Sequence, residues 1–244
     1  MPLLEVRDAV KTYGGIVAVN QASFDVAEGS ITALIGPNGA GKTTAFDTIS
    51  GVVEPDGGSI KFAGQEITGL MPHKVTAAGI GRTFQITREL GDMTVLENMV
   101  VSTVPNSLRS LFGGRIAGPE RDRAMDLLRF VGIEKLAHQP AKRLSYGQRK
   151  LLEFASVMMT DPRLIMLDEP AGGVNPALLE RIMDRIEEIN RSGVTFLIVE
   201  HNMDVVMRLS HSIIVMAHGQ VILQDTPAVV REDQRVLDAY LGAV

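Results

Sequence analysis

The chain has 244 residues, is 45% hydrophobic and carries a formal charge of −5. That length is enough to bury a substantial core within a single α/β domain, and the acidic balance argues against a broad electrostatic grip on nucleic acid. There is no cysteine, so disulfides, thiolate metal sites and cysteine nucleophiles are excluded together, in keeping with a reducing compartment.

At the amino terminus Glu5, Arg7 and Asp8 interrupt any signal-peptide core, and no apolar run in the chain approaches the ~20 residues of a spanning helix. A soluble, cytoplasmic chain is expected, whose work at a membrane would need a partner. Short strands are predicted over Leu3–Val6, Ile16–Val19 and Ala22–Val26, the last with alternating apolar positions. Next comes the apolar run Ile31–Ile35. It leads into Gly36, Pro37, Asn38, Gly39, Ala40, Gly41, Lys42, Thr43 and Thr44, which fit the pattern G-x-x-x-x-G-K-[ST]. A helix over Thr43–Ser50, stopped by Gly51, completes a strand, loop and helix. Glycines in such a loop let backbone N–H groups close around phosphates, and the helix adds the positive end of its dipole. Lys42 would reach the β- and γ-phosphates, and the Thr43 hydroxyl would ligate Mg²⁺. Upstream, Tyr13 beside Gly14 and Gly15 reads two ways: a turn residue half buried on a sheet, or a flat ring on which an adenine stacks. Downstream, Pro55–Gly58 is a turn and Ser59–Phe62 a further strand. The opening region therefore reads as an antiparallel sheet flanking the phosphate loop.

Residues Gly79–Gln85 read as a strand ending on an uncharged amide. Gln85 either faces solvent or joins a Mg²⁺ shell and orients a water without adding charge. From about 86 to 160 the pattern turns helical. Pro105–Pro119 is a loop-like stretch with apolar points, and Glu120–Val131 is a helix with Ala124, Leu127, Leu128 and Val131 on one face and Gly132 as its stop. Leu144–Gln148 opens another helix, with Leu151, Phe154, Ala155 and Met158 on one face. Ser145 and Gln148 have the spacing of a capping box, which needs no ligand. An uncovered helix start offering the Ser145 hydroxyl and the Gly147 N–H is equally an anion site.

Leu164–Asp168 is a fully apolar strand that ends in adjacent carboxylates, Asp168 and Glu169. Such strands belong in parallel sheets covered on both faces, and acids at their carboxyl ends stand where those sheets bind ligands. Either these are two solvated acids, or alternation sends them to different jobs. In the second reading Asp168 holds Mg²⁺ and Glu169 poises a water as general base. Asn175 and Pro176 start a helix with Leu179, Ile182, Ile186 and Ile189 on one face. Thr195–Val199 is a second buried strand, followed by Glu200 and His201; there His201 is either a surface or satisfied core residue, as a lone His usually is, or a group positioned to meet a γ-phosphate. Asn202 caps a short helix, Ile213–Met216 and Val221–Leu223 are strands, and Thr226–Pro227 starts a terminal helical region. No repeat, low-complexity tract or interdomain linker interrupts the chain.

In this order, Gly36–Thr44, Gln85, Leu144–Gln148, Leu164–Glu169 and His201 resemble the ATP-binding-cassette ATPases over nearly the whole length. The resemblance implies one α/β P-loop domain, residues 1–244. It would comprise a mixed, largely parallel central sheet, an amino-terminal antiparallel β subdomain and a helical subdomain inserted at about 86–160. It also implies ATP and Mg²⁺ as cofactors and a nucleotide sandwich of two such chains, identical or homologous. In that sandwich Ser145, Gly147 and Gln148 of one copy contact the γ-phosphate held by Lys42 of the other, and Tyr13, Gln85, Glu169 and His201 take their functional readings. A closer similarity lies in Tyr13–Gly15, Arg82–Gln85, Met93–Asn98, Tyr146 and Glu200–Met203. These look like the ATPase subunits of bacterial branched-chain amino acid importers; lipopolysaccharide-export and urea-import ATPases are the alternatives. The implied partners are transmembrane permeases and, indirectly, an extracytoplasmic binding protein, with no nucleic acid, on the inner face of the cell membrane. Tyr146 stands where many members have Gly, and Asn175 where many have Asp; both look like marks of the subgroup. A soluble cassette acting in DNA repair or translation would carry a coiled-coil insertion or a second cassette, and a GTPase an Asn-Lys-x-Asp signature; neither is present.

Overall fold

In the computed structural model, which describes residues 2–83, 90–101 and 118–241, the three short amino-terminal strands merge into two long ones. Strands β1 (Pro2–Tyr13) and β2 (Ile16–Ala27) form an antiparallel hairpin closed at Gly14 and Gly15. The reason is local. Asp8 and Gln21 take left-handed φ values of 48° and 52°, and the register shifts between Val6 and Ala9, so the apolar alternation skips while the ladder continues. Strand β4 (Gly57–Phe62) pairs on the far side of β1, and the two-residue β5 (Gln65–Glu66) extends it, giving the order β2-β1-β4-β5.

The second sheet has six strands in the order β10-β9-β3-β8-β7-β6. Strands β3 (Ile31–Ile35), β7 (Leu164–Asp168) and β8 (Thr195–Val199) are buried at every residue. They pair in parallel with β6 (Ile80–Arg82) and β9 (Ser212–Ala217); only β10 (Gln220–Asp225) runs antiparallel. Alternation sends successive residues of each strand to opposite faces of the sheet. Leu164 and Met166 join Leu34, Leu197 and Phe46 under the amino-terminal sheet, with α1 (Lys42–Ile49) packed among them. Ile165 and Leu167 face the opposite way, toward a helical layer. That layer contains α3 (Val95–Val101), α4 (Gly118–Val131), α5 (Tyr146–Met158) and α6 (Pro176–Arg191). A third cluster sets Ile35, Ile213 and Val215 against α7 (Met203–Leu209), α8 (Pro227–Glu232) and α9 (Gln234–Leu241) through Val206, Val230 and Val236.

Helix α2 (Pro72–Ala77) buries only Val75 and so leaves no apolar periodicity in the sequence. Most of the Pro105–Pro119 stretch, and Gln85, lie outside the described residues. Among the described residues, no helix is long and apolar enough to cross a membrane.

The turn at Asp56 holds the closed end of the hairpin, beside Gly14 and Gly15. Its carboxylate accepts from Lys11 Nζ at 2.8 Å and from the Thr12 backbone N–H and hydroxyl, both at 2.7 Å. Lys11 and Thr12 hold its pKa down at about 2. A carboxyl depressed in the fold contributes stability above its unfolded pKa and loses it as pH falls through the folded value. The clamp should therefore be intact at pH 5 and let go between about pH 4 and 2. A carbon-detected NMR titration should give Asp56 a midpoint well below that of exposed aspartates, and an ordinary midpoint would refute the clamp.

Candidate functional site

Register decides where the chain leaves the central sheet. Leu34 and Asp168 both pair with Val199, so β3, β8 and β7 end at one edge. From that edge Gly36 turns with φ 150°, and a Cβ there would lie 2.1 Å from the carbonyl oxygen of Met216. Gly41, at φ 96°, would place a Cβ 2.2 Å from the Ala18 oxygen. Only glycine satisfies either position. Gly39 differs: its φ is 77°, but nothing lies within 4 Å of a built Cβ, so the loop is open on that side. Helix α1 begins at Gly41 with no side-chain cap and no acid in its first turn, which leaves its first N–H groups to an outside acceptor.

The Lys42 ammonium folds back into this loop and donates to the Gly36 and Pro37 carbonyls at 2.7 and 2.9 Å. Burial lowers its pKa, opposed by the negative charge of Glu169 and Asp168. An uncapped helix start, an open glycine and a partly desolvated cation together fit a polyphosphate chain. Thr43 is exposed on the first turn and Thr44 half-buried.

Asp168 and Glu169 separate as alternation requires. Asp168 is 5% exposed; burial raises its pKa against the pull of Arg82, whose guanidinium lies 3.4 Å away. The same guanidinium meets Asp47 at 2.7 Å, donates to Ser50 Oγ at 2.6 Å and lies over the Phe46 ring. Glu169 leaves the strand at φ 49°, a left-handed geometry rare outside glycine, with its N–H donated to the Val199 oxygen at 2.9 Å. Its carboxylate is partly exposed and sits 3.7 Å from Nδ1 of the exposed His201. Glu200, which precedes His201 in the chain, has a wholly buried side chain. It accepts from the backbone N–H groups of Ala171 at 2.7 Å, His201 at 2.9 Å and Asn202 at 3.0 Å. Arg82 and Glu200 have no local signal that reveals these roles, since their partners are remote in sequence or are backbone groups.

The start of α5 has the full capping box. Ser145 Oγ accepts from the Gln148 N–H at 3.3 Å, and Gln148 Oε1 accepts from the Ser145 N–H at 2.9 Å. A Cβ on Gly147 would meet Leu178 of α6 at 2.3 Å, and the Tyr146 hydroxyl donates to the Gly172 oxygen at 3.1 Å. Among the described residues, no hydrogen bond joins 145–148 to the phosphate loop of the same chain. Tyr13 is 47% exposed at the hairpin tip, with Lys11 Nζ 5.6 Å from its ring centre. That hairpin is anchored beside the loop, because Asn20 donates to the Gly219 oxygen at 2.8 Å and Gly219 to that of Ala40 at 3.1 Å. The fold thus gathers 36–44, 168, 169 and 201, sets the hairpin bearing Tyr13 alongside, and ties Tyr146 to Gly172 just beyond the two carboxylates. No group of three or more His, Asp or Glu able to hold a metal occurs among the described residues.

A family model described as ABC transporter matches residues 19–172, and one described as branched-chain amino acid ATP-binding cassette transporter matches 220–244. The chain is 40% identical to the probable branched-chain amino acid transport ATP-binding protein LivG of Archaeoglobus fulgidus, over 100% of this chain and 96% of that one. It is 38% identical to the high-affinity branched-chain amino acid transport ATP-binding protein BraF of Pseudomonas aeruginosa, over 99% and 98%. A solved structure described as the ADP conformation of an ATP-binding cassette of an ABC transporter superposes with a TM-score of 0.88 at 35% identity, covering 99% of each chain.

Replacing Arg82 by Gln removes the cation that faces Asp47 and the buried Asp168. Urea unfolding should show a loss of about 3–5 kcal/mol, the usual cost of orphaning a buried charge. NMR titration of Asp168 should show its pKa moving further up. An unchanged titration would mean that Arg82 does not govern this carboxylate.

Proposed function

Because the chain belongs to the ABC transporter family of ATP-binding cassettes, we propose that it is the ATP-hydrolysing subunit of an importer for branched-chain amino acids. The observation that carries the cargo is likeness over the full chain to relatives named for branched-chain amino acid transport, together with the carboxy-terminal match over 220–244. The partners of the chain would be transmembrane permease subunits, with the ATPase bound at their cytoplasmic face and an extracytoplasmic binding protein delivering cargo.

Lys42 and the backbone N–H groups of 36–44 would hold the triphosphate, with Tyr13 flanking the base. Mg²⁺ would be held by Thr43, Asp168 and Gln85, and when bound it supplies charge neutralisation on the phosphates. Phosphates and water complete such a shell, which suits a site with a single buried carboxylate. Glu169 would take the proton of the water that attacks the γ-phosphorus, and His201, 3.7 Å from Glu169, would orient that carboxylate and contact the γ-phosphate. Among the described residues Ser145, Gly147 and Gln148 make no hydrogen bond to their own phosphate loop, and they are exposed or partly so. This supports a head-to-tail pair in which they complete the site of a second copy, identical or homologous. ATP favours the closed pair, and hydrolysis removes that preference.

Glu169→Gln should lose ~10²–10⁴-fold in turnover while still binding ATP, and ATP should drive the variant into a dimer detectable by light scattering. Undiminished hydrolysis would take the base role away from Glu169; a monomer at every concentration would count against pairing. Permeases that co-purify from membranes should support ATP-dependent uptake of radiolabelled leucine in proteoliposomes, and uptake of urea or export of lipopolysaccharide in its place would refute the cargo.

A further inference from the structure

The carboxy-terminal helices do not close fully against the helix that follows His201. Between α7 on one side and α8 and α9 on the other lies a cavity of about 340 Å³, near the lower end of the size range in which small ligands bind. Most of its lining is apolar. Val230 and Val236 are buried there and Met207 is half-buried, while Met203, Leu237 and Tyr240 remain exposed, an apolar surface that is unfavourable in water. Two charged residues share the lining, and they come from different elements: Asp204 from α7 and Arg231 from α8. The ion pair between Arg231 and neighbouring Glu232 spans 3.7 Å, too long for a hydrogen bond, so guanidinium donors remain for a further acceptor. An apolar cavity edged by one anion and one cation matches a ligand with an aliphatic body that carries both an ammonium and a carboxylate. A fatty acid would leave Asp204 without a counter-charge, and an alkylamine would leave Arg231 so.

We propose that this cavity is a binding site for a zwitterionic amino acid with an aliphatic side chain, whose carboxylate meets Arg231, whose ammonium meets Asp204 and whose side chain lies against Met207, Val230 and Leu237. The cavity adjoins the nucleotide site at two points. Met203 and Asp204 begin α7 directly after His201 and its neighbour Asn202. At the other wall the Tyr240 oxygen faces the N–H of Gly36, the first residue of the phosphate loop; burial raises the pKa of this hydroxyl, and that N–H opposes the rise. A ligand held between these elements changes the freedom of both His201 and the start of the loop. By linkage, nucleotide must then change the affinity for the ligand by the same factor that the ligand changes the affinity for nucleotide. The role of sensing delivered cargo rests on the importer reading; the binding itself does not.

Titration of L-leucine into the full chain without nucleotide tests the site, read by the methyl NMR signals of Met203 and Met207. Both should shift saturably with a Kd of about 1 mM or below, while the methyl signal of Met99, buried in the helical layer, stays in place. Asp204→Asn and Arg231→Gln alter exposed side chains and should leave urea unfolding unchanged, yet each should weaken leucine about tenfold. Isoamylamine and 4-methylpentanoate, which each lack one charged group of leucine, should bind the wild-type chain more weakly by a similar factor. No saturable shift, a shift that both variants leave unchanged, or equal affinity for the two analogues and leucine overturns the site. Shifts that follow protein concentration without leucine overturn it too, and identify the cavity as a contact between copies. Saturating leucine should change the Kd for AMP-PNP about fivefold or more, and saturating AMP-PNP should change that for leucine equally; unchanged constants overturn the link to the phosphate loop. Leucine binding to a chain that fails in leucine uptake refutes the importer reading and keeps the site, whereas uptake without methyl shifts refutes the site alone.

Discussion

The parallel ladder of β3, β8 and β7 is the constraint on which the rest depends. Its register sets Leu34 and Asp168 against Val199, so the chain emerges at residues 36, 169 and 200 along one edge. Because all three strands are buried on both faces, a slip of one residue would exchange the faces of every side chain and carry Asp168 away from Arg82. The phosphate loop inherits this rigidity. Its first glycine is pressed against the Met216 carbonyl and its third against that of Ala18, so the loop rests on backbone, which cannot yield as a side chain can.

Three carboxylates share that edge and differ through their surroundings. Asp168 is buried beside a guanidinium. Glu169 is turned out of the strand by a left-handed backbone and remains partly in solvent, so its carboxylate can meet a water. Glu200 is sealed from solvent by backbone donors, which makes it a fastening. Identical chemical groups thus acquire different work from burial and hydrogen bonding alone.

The start of α5 is satisfied locally and still open to solvent. Its capping box satisfies its own backbone, so the helix needs no ligand to begin, yet Ser145 remains exposed. The chain positions this helix start through Tyr146 and Leu178, and among the described residues it makes no hydrogen bond to its own phosphate loop.

Much of this was legible in the residues themselves. Apolar runs marked β3, β7 and β8, Ser145, Asn175 and Asn202 marked helix starts, and the spacing of Gly36, Gly41 and Lys42 marked the phosphate loop, because caps, periodicity and tight turns depend on neighbours a few positions away. The hairpin of β1 and β2 was divided too finely because bulges at Asp8 and Gln21 break alternation without ending a strand. What only the tertiary structure decided were the contacts between distant segments: Arg82 with Asp47 and Asp168, Glu200 with Ala171, Tyr146 with Gly172. Local chemistry is written in order along a chain, whereas a partner brought close by sheet register leaves no trace in the spacing of the residues that meet.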